Sequence, residues 1–276
     1  MRAQRRGQGR SQGRAPRLAV HAFQRHVMAV NETIIALTRT VPEPTRPVRR
    51  VVPPARTAPP AVPVPAAGIG TARSWSTDVA HPLPAARPHD GVRAHAVLQA
   101  PEAGLPVLMV EVDRGTDSDD VLAAKVGRYR RYFRLKTKDP RGVDVLLWRT
   151  FYPPTGREGH PPVAVVFAPG TRLGEQALKN RMNRVMSLTR EIWSGEYTKE
   201  DQHDGASTTA GYYDFSDTIP LLFTTLDRLR TDGPHATVWW RCGHGRWETL
   251  PDALANPQDL DAWHPRDTEP RRHETA

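Results

Sequence analysis

The chain has 276 residues and a formal charge of +9, with Lys+Arg 39 against Asp+Glu 30, a length that suits one or two domains. A hydrophobic share of 38% and 27 prolines, roughly double ordinary usage, leave material for a core over only part of that length. The single cysteine, Cys242, excludes an intramolecular disulfide framework and any site built on several thiolates; no apolar stretch of signal-peptide or membrane-spanning length occurs, so the expected location is cytoplasmic, with no membrane partner.

Charge is concentrated at the start. Met1 to Arg56 holds 12 Arg, no Lys and only Glu32 and Glu43 as acids, a balance of +10, so the remaining 220 residues sum to −1. Any grip of the folded part on a polyanion must therefore come from local patches. Residues 1–16 are Arg, Gln and Gly with little to bury, which predicts a disordered basic arm. Within 17–40, Phe23, Val27, Val30, Ile34 and Leu37 recur at spacings of three and four and predict an amphipathic helix with those side chains inward. Residues 41–70 carry nine prolines between Val41 and Ala67, with Arg46, Arg49, Arg50 and Arg56 among them, and predict an extended linker.

Residues 71–255 are expected to form the α/β domain, a mixed sheet flanked by helices, and 256–276 a disordered tail. VRAHAVL (92–98) and PVLMVEVD (106–113) flank QAPEAGL and predict an antiparallel hairpin. Thr116, followed by Asp117, Asp119 and Asp120, predicts a helix start, and Leu122, Val126, Tyr129 and Phe133 its buried stripe. Strands are predicted at 143–152 and at PVAVVFA (162–168), the latter oily enough to be central, followed by a helix over 175–193 with Arg181, Arg184 and Arg190 on its solvated side. Residues 196–217 read as a long mobile loop, 219–230 as a short helix and 235–241 as a strand.

Strand alternation puts Glu111 and Asp113 on one face, and a carboxylate pair so placed is a candidate Mg²⁺ or Mn²⁺ site. Lys125, at the edge of the next helix's apolar stripe, could reach Glu111 and stabilise charge on a scissile phosphate, which makes Glu111, Asp113 and Lys125 the candidate catalytic set. The structural alternative is that Asp113 caps the turn, Glu111 pairs with an arginine and Lys125 extends along the surface. From Lys125 to Arg141 eight basic residues meet one acid, Asp139; Arg128, Arg130, Arg131, Arg134, Lys136 and Lys138 are the candidate nucleic-acid contacts, mainly to backbone phosphate. Tyr129 and Phe133 are assigned to the core rather than to base stacking. Cys242 with His235 and His244 reads as strand packing, and GTRLGEQ lacks the Gly-Lys-Ser/Thr ending of a phosphate-binding loop.

The run MVEVDRGTDSDDVLAAKVGRYRRYFR, with HVMAVNETIIAL before it and PPVAVVFAPGTR, ALKNRMNRVMSLTREIW and TIPLLFTTLDRLRTDGPHATVWWR after it, resembles the replication-relaxation family of actinobacterial plasmids and integrative elements. The resemblance implies a DNA-associated role in replication or maintenance of such an element, with DNA and replication or mobilisation proteins as partners. It also implies an N-terminal winged-helix region, of which 17–40 would be a remnant. The element order is similar to the restriction-endonuclease-like core, which implies a metal-dependent nuclease with metal ligands from Glu111, Asp113 and the His95 position. His95 stands where that core has an Asp, and imidazole is a poorer Mg²⁺ ligand than carboxylate, so the departure implies that another metal is used, that Asp90 substitutes as ligand, or that catalysis is degenerate. A noncatalytic adaptor that docks a partner through its prolines is the third reading.

Overall fold

The oiliest runs of the chain become neighbouring strands at the centre of a sheet. The computed structural model describes residues 14–39, 68–81, 91–169, 173–199 and 211–256. Asp90 and most of the expected arm, linker and tail lie outside the described residues. Helix α1 (Arg14–Thr38) is followed by strands β1 (Trp75–His81), β2 (Val92–Ala100) and β3 (Leu105–Asp113), helix α2 (Asp119–Phe133), and the short strands β4 (Lys136–Lys138) and β5 (Asp144–Leu146). Then come β6 (Val163–Phe167), α3 (Glu175–Leu188), α4 (Arg190–Trp193), β7 (Glu196–Lys199), β8 (Gly211–Asp214), β9 (Leu221–Thr225), α5 (Leu226–Asp232), β10 (Trp239–Arg241), β11 (Trp247–Glu248) and α6 (Leu250–Leu254).

Seven strands form the main sheet in the order β1-β2-β3-β6-β9-β10-β11. The first three are antiparallel neighbours, β3, β6 and β9 run parallel, and β10 and β11 complete the other edge antiparallel. Strands β3, β6 and β9 are covered on both faces, as parallel strands require. On one face Leu108, Val110, Ala164 and Leu222 pack with α1, α5 and α6; on the other Met109, Val163, Val165 and Phe223 pack with α2 and α3. Among the described residues no helix is long and apolar enough to cross a membrane.

The hairpin β2–β3, the α2 stripe and the central β6 fall where the pattern places them. Ser118, not Thr116, caps α2, accepting the Val121 N–H. The predicted strand over 143–152 shrinks to β5, which pairs with β4 outside the main sheet and runs into a single 3-10 turn, Leu147–Thr150. The predicted 175–193 helix breaks at Thr189, whose buried hydroxyl donates back to the Val185 carbonyl at 2.8 Å. The expected loop over 196–217 contains the β7–β8 ribbon, and the expected helix over 219–230 begins as β9, because Leu221 to Thr225 is a mainly apolar run, with Phe223 and two β-branched threonines suited to a strand, that fits between β6 and β10.

Helix α1 forms where expected; Val30 and Leu37 of the expected stripe are buried and Ile34 packs against the core, but the inward face is shifted from Phe23 and Val27 toward small residues. Ala29, Val30, Thr33, Ala36 and Leu37 are buried, while Phe23, Val27, Met28 and Ile35 face outward. Its last turn is tied to the domain: the Ile69 N–H donates to the Leu37 carbonyl at 2.7 Å. Gly68 lies against the Thr38 backbone so closely that a Cβ there would overlap the Thr38 carbonyl.

Candidate functional site

The site begins with a split between two strands. β2 and β3 pair from Leu98–Leu108 to Ala96–Val110, and beyond that point no further pairs form between them. The His95 side chain enters the opening, and its Nδ1 lies 2.9 Å from the Val112 N–H, where a neighbouring strand would have offered a carbonyl. Alternation turns Glu111 and Asp113 toward α2 and α3, the side on which Met109 packs.

Glu111 is the centre of the first cluster and is only 1% exposed. The Tyr129 hydroxyl donates to its Oε1 at 2.5 Å, the Lys125 Nζ donates to its Oε2 at 2.5 Å, and His95 Nδ1 lies 3.0 Å from the same Oε2. Lys125 Nζ is also 3.1 Å from His95 Nε2. A proton on Nδ1 serves both charged neighbours, since Nδ1–H then donates to Glu111 while Nε2 accepts from the ammonium. The Val112 N–H competes for Nδ1 in the other tautomer. Burial pushes the Glu111 carboxyl up, but the hydrogen bond from His95 and the charge of Lys125 outweigh it and hold the group below its ordinary 4.5. Burial, reinforced by the Glu111 charge, raises the Tyr129 phenol well above its ordinary 10 and keeps it a donor.

Helix α1 reaches this cluster from the other face of the sheet. The His26 ring meets the His95 ring edge-on with centroids 4.3 Å apart, and Arg114 donates to the Ala22 carbonyl at 3.3 Å. Burial, then the neighbouring His95, Lys125 and Arg114, lowers the His26 pKa.

Asp113 belongs to a second cluster. The Arg181 Nε and Nη2 donate to its two oxygens at 2.7 and 3.0 Å, Arg181 Nη1 also binds Asp119, and the Gly115 N–H donates to Asp113 Oδ1 at 3.0 Å. Arg181 is therefore a buried clamp between α3 and the start of α2 and not, as its spacing suggested, part of a solvated face; Arg184 and Arg190 are exposed. The turn-capping alternative describes Asp113 well, and Glu111 pairs with a lysine where an arginine was considered.

Lys125, His95 and Glu111 thus meet, while Asp113 is held by Arg181. Among the described residues no group of three or more His, Cys, Asp or Glu side chains could hold a metal ion. Both oxygens of Glu111 and both of Asp113 already accept hydrogen bonds from protein donors, and Lys125 and Arg181 supply the positive charge a dication would bring. As arranged, Glu111, Asp113 and His95 do not fit Mg²⁺ or Mn²⁺.

The basic stretch divides in two. Arg130 Nη2 and Arg134 Nε each donate to Asp217 at 2.7 Å, His160 Nε2 lies 3.2 Å from the same carboxylate, and Lys138 pairs with Asp144 at 2.6 Å. The hydrogen bonds from Arg134 drive the Asp217 carboxyl far below the usual carboxylate range. Among the described residues no ion pair engages Arg128, Arg131 or Lys136, and the last two are exposed. Asp217, 83 residues beyond Arg134, was missed by sequence reasoning because nothing local marks it as their partner. Cys242 is buried, and burial raises its thiol, as strand packing implies.

A family model described as replication-relaxation matches residues 2–147, just over half of the chain; the match takes in α1 to β5 and stops before β6. A search of curated proteins and one of solved structures return no match.

Proposed function

Because this chain belongs to the replication-relaxation family, we propose that it is a DNA-associated protein acting in the replication or maintenance of a plasmid or integrative element. The observation that carries the reading is the row of cations on α2 and β4. Arg128, Arg131 and Lys136 are available to phosphates, and Arg130 and Arg134 are braced by Asp217 beside them. The Arg-rich first 56 residues, with their balance of +10, add a second source of charge. Contacts of this kind read backbone rather than bases, so binding should depend steeply on salt and little on sequence.

Fluorescence anisotropy with a labelled duplex at several salt concentrations tests this. Arg131→Ala and Lys136→Ala should each weaken binding to all sequences alike and reduce the slope of log affinity against log salt by about 1. An unchanged slope in the double variant would remove the patch from the binding surface.

A second reading, DNA cleavage with Glu111, Asp113 and Lys125, rests on the likeness to a restriction-endonuclease-like core and on the meeting of Lys125, His95 and Glu111 beside the split of β2 from β3. It requires Lys125 and Arg181 to release the carboxylates. Plasmid nicked in the presence of Mg²⁺ or Mn²⁺ by the wild type but not by Glu111→Gln would favour it. Intact plasmid under conditions of full binding would leave the noncatalytic reading alone.

A further inference from the structure

We infer that a second site, on the far side of α3 from α2, takes a single unstacked nucleotide. It is a pocket of about 520 Å³, inside the range of about 300 to 1,000 Å³ typical of small-ligand sites. It opens beyond the carboxyl ends of the parallel strands β6 and β9, where sheets of this kind commonly bind ligands. Its lining falls entirely after residue 147, outside the part of the chain matched by the family model.

Cross-strand register builds one wall. Phe223 on β9 lies opposite Trp240 on β10, and Trp240 lies opposite Trp247 on β11, so three aromatic side chains form a row across three strands. The two indoles meet edge-on at 5.5 Å and 74°, and both are only partly buried. The facing wall is the α3 row Leu178, Met182 and Met186, spaced one helical turn apart and also only partly buried. Flat indoles opposite adaptable thioethers suit a planar aromatic ligand.

The rim supplies polar chemistry. The Arg228 guanidinium lies over the Trp247 ring at 4.0 Å, and Lys179 is exposed one turn from Asn183. Either cation can meet a phosphate. Glu175 and Asp227 also line the mouth, which makes the charged lining neutral overall. A di- or triphosphate gains no net attraction from such a lining, whereas a base with one phosphodiester finds a stacking surface, a cation and acceptors for its N–H donors, a ring imide N–H included. The occupant is therefore a nucleotide of a single strand, with the base between the Trp and Met walls. This assignment rests on the DNA-associated reading only for the source of the strand.

The test follows tryptophan fluorescence during titration with thymidine monophosphate and with short oligothymidylate, alongside the duplex anisotropy assay. Both ligands should quench the wild type. Trp247→Ala should weaken oligothymidylate binding by about tenfold or more, as expected for loss of a stacking platform, and leave duplex binding unchanged; Trp247→Phe should restore most of the affinity. Lys179→Glu, at an exposed position, should weaken the single strand without affecting thermal stability. No quenching by either ligand, or unchanged single-strand affinity in folded Trp247→Ala, overturns the site. Should Trp247→Ala fail to fold, unchanged affinity in Lys179→Glu overturns it equally. Quenching by the mononucleotide with no duplex binding sustains the pocket and rejects the patch on α2.

Discussion

Lys125 contributes half of a buried charge pair, and its removal shows how tightly the centre of the site is closed. Its side chain is 17% exposed and that of Glu111 is 1% exposed, so Lys125→Met strands a carboxylate that water reaches poorly. Removing one member of such a pair costs about 3–5 kcal/mol, while replacing both is often close to neutral. Lys125→Met should therefore lose about 3 kcal/mol in urea unfolding, and Glu111→Gln/Lys125→Met should recover most of it, because Gln still accepts the Tyr129 hydroxyl. Simple additivity of the two changes would mean that the pair is uncoupled. That Glu111 and Lys125 would meet was legible from two local periods, strand alternation and the edge of the α2 stripe. The Arg181 clamp was not, since it arrives from α3, 68 residues beyond Asp113, and helix periodicity distinguishes a surface arginine from a buried one only when the partner is known.

Helix α1 shows the same limit over a whole element. The expected core face was the stripe Phe23, Val27, Val30, Ile34 and Leu37, and only its later members, Val30, Ile34 and Leu37, reach the core. The structure instead buries the small residues Ala29, Thr33 and Ala36 with Val30 and Leu37, which lets the helix lie close to Leu108, Val110 and Leu222. Small side chains carry little hydrophobic signal, so pattern reading favours Phe23, which is 68% exposed. Two substitutions separate the faces. Leu37→Ala should cost about 2–5 kcal/mol, and Phe23→Ala should stay within about 0.5 kcal/mol. Comparable losses for both would mean that α1 docks by its other side. The misreading of β9 has a related origin: it lies between β6 and β10 in the sheet, and a run such as LLFTT is equally apolar as a helix or a strand until the adjacent strands are known.

Across the molecule, four histidines share an electrostatic condition that makes the fold sensitive to acid. His26, His81, His160 and His244 all have their pKa lowered from the ordinary 6.5, in each case first by burial. They lie in different places: His26 against His95 under α1, His81 donating to or accepting from the Tyr152 hydroxyl at 2.7 Å, His160 beside Asp217, and His244 beside Glu248. In the unfolded chain each takes up a proton near 6.5, whereas the folded protein resists doing so until a lower pH. Stability is therefore full above 6.5 and falls as pH drops toward the folded-state values, because the unfolded state binds more protons in that interval. Glu111, also lowered, adds a loss that starts only below its ordinary 4.5. Thermal unfolding between pH 7.5 and 5.5 should accordingly show a falling midpoint well before carboxylates titrate, with each kcal/mol worth about 2–4 °C in a domain of this size. A midpoint constant over that interval would mean that these imidazoles charge as easily in the fold as outside it. A loss confined to pH below 4.5 would assign acid sensitivity to the carboxylates held low in the fold, Glu111 and Asp217, and not to the imidazoles.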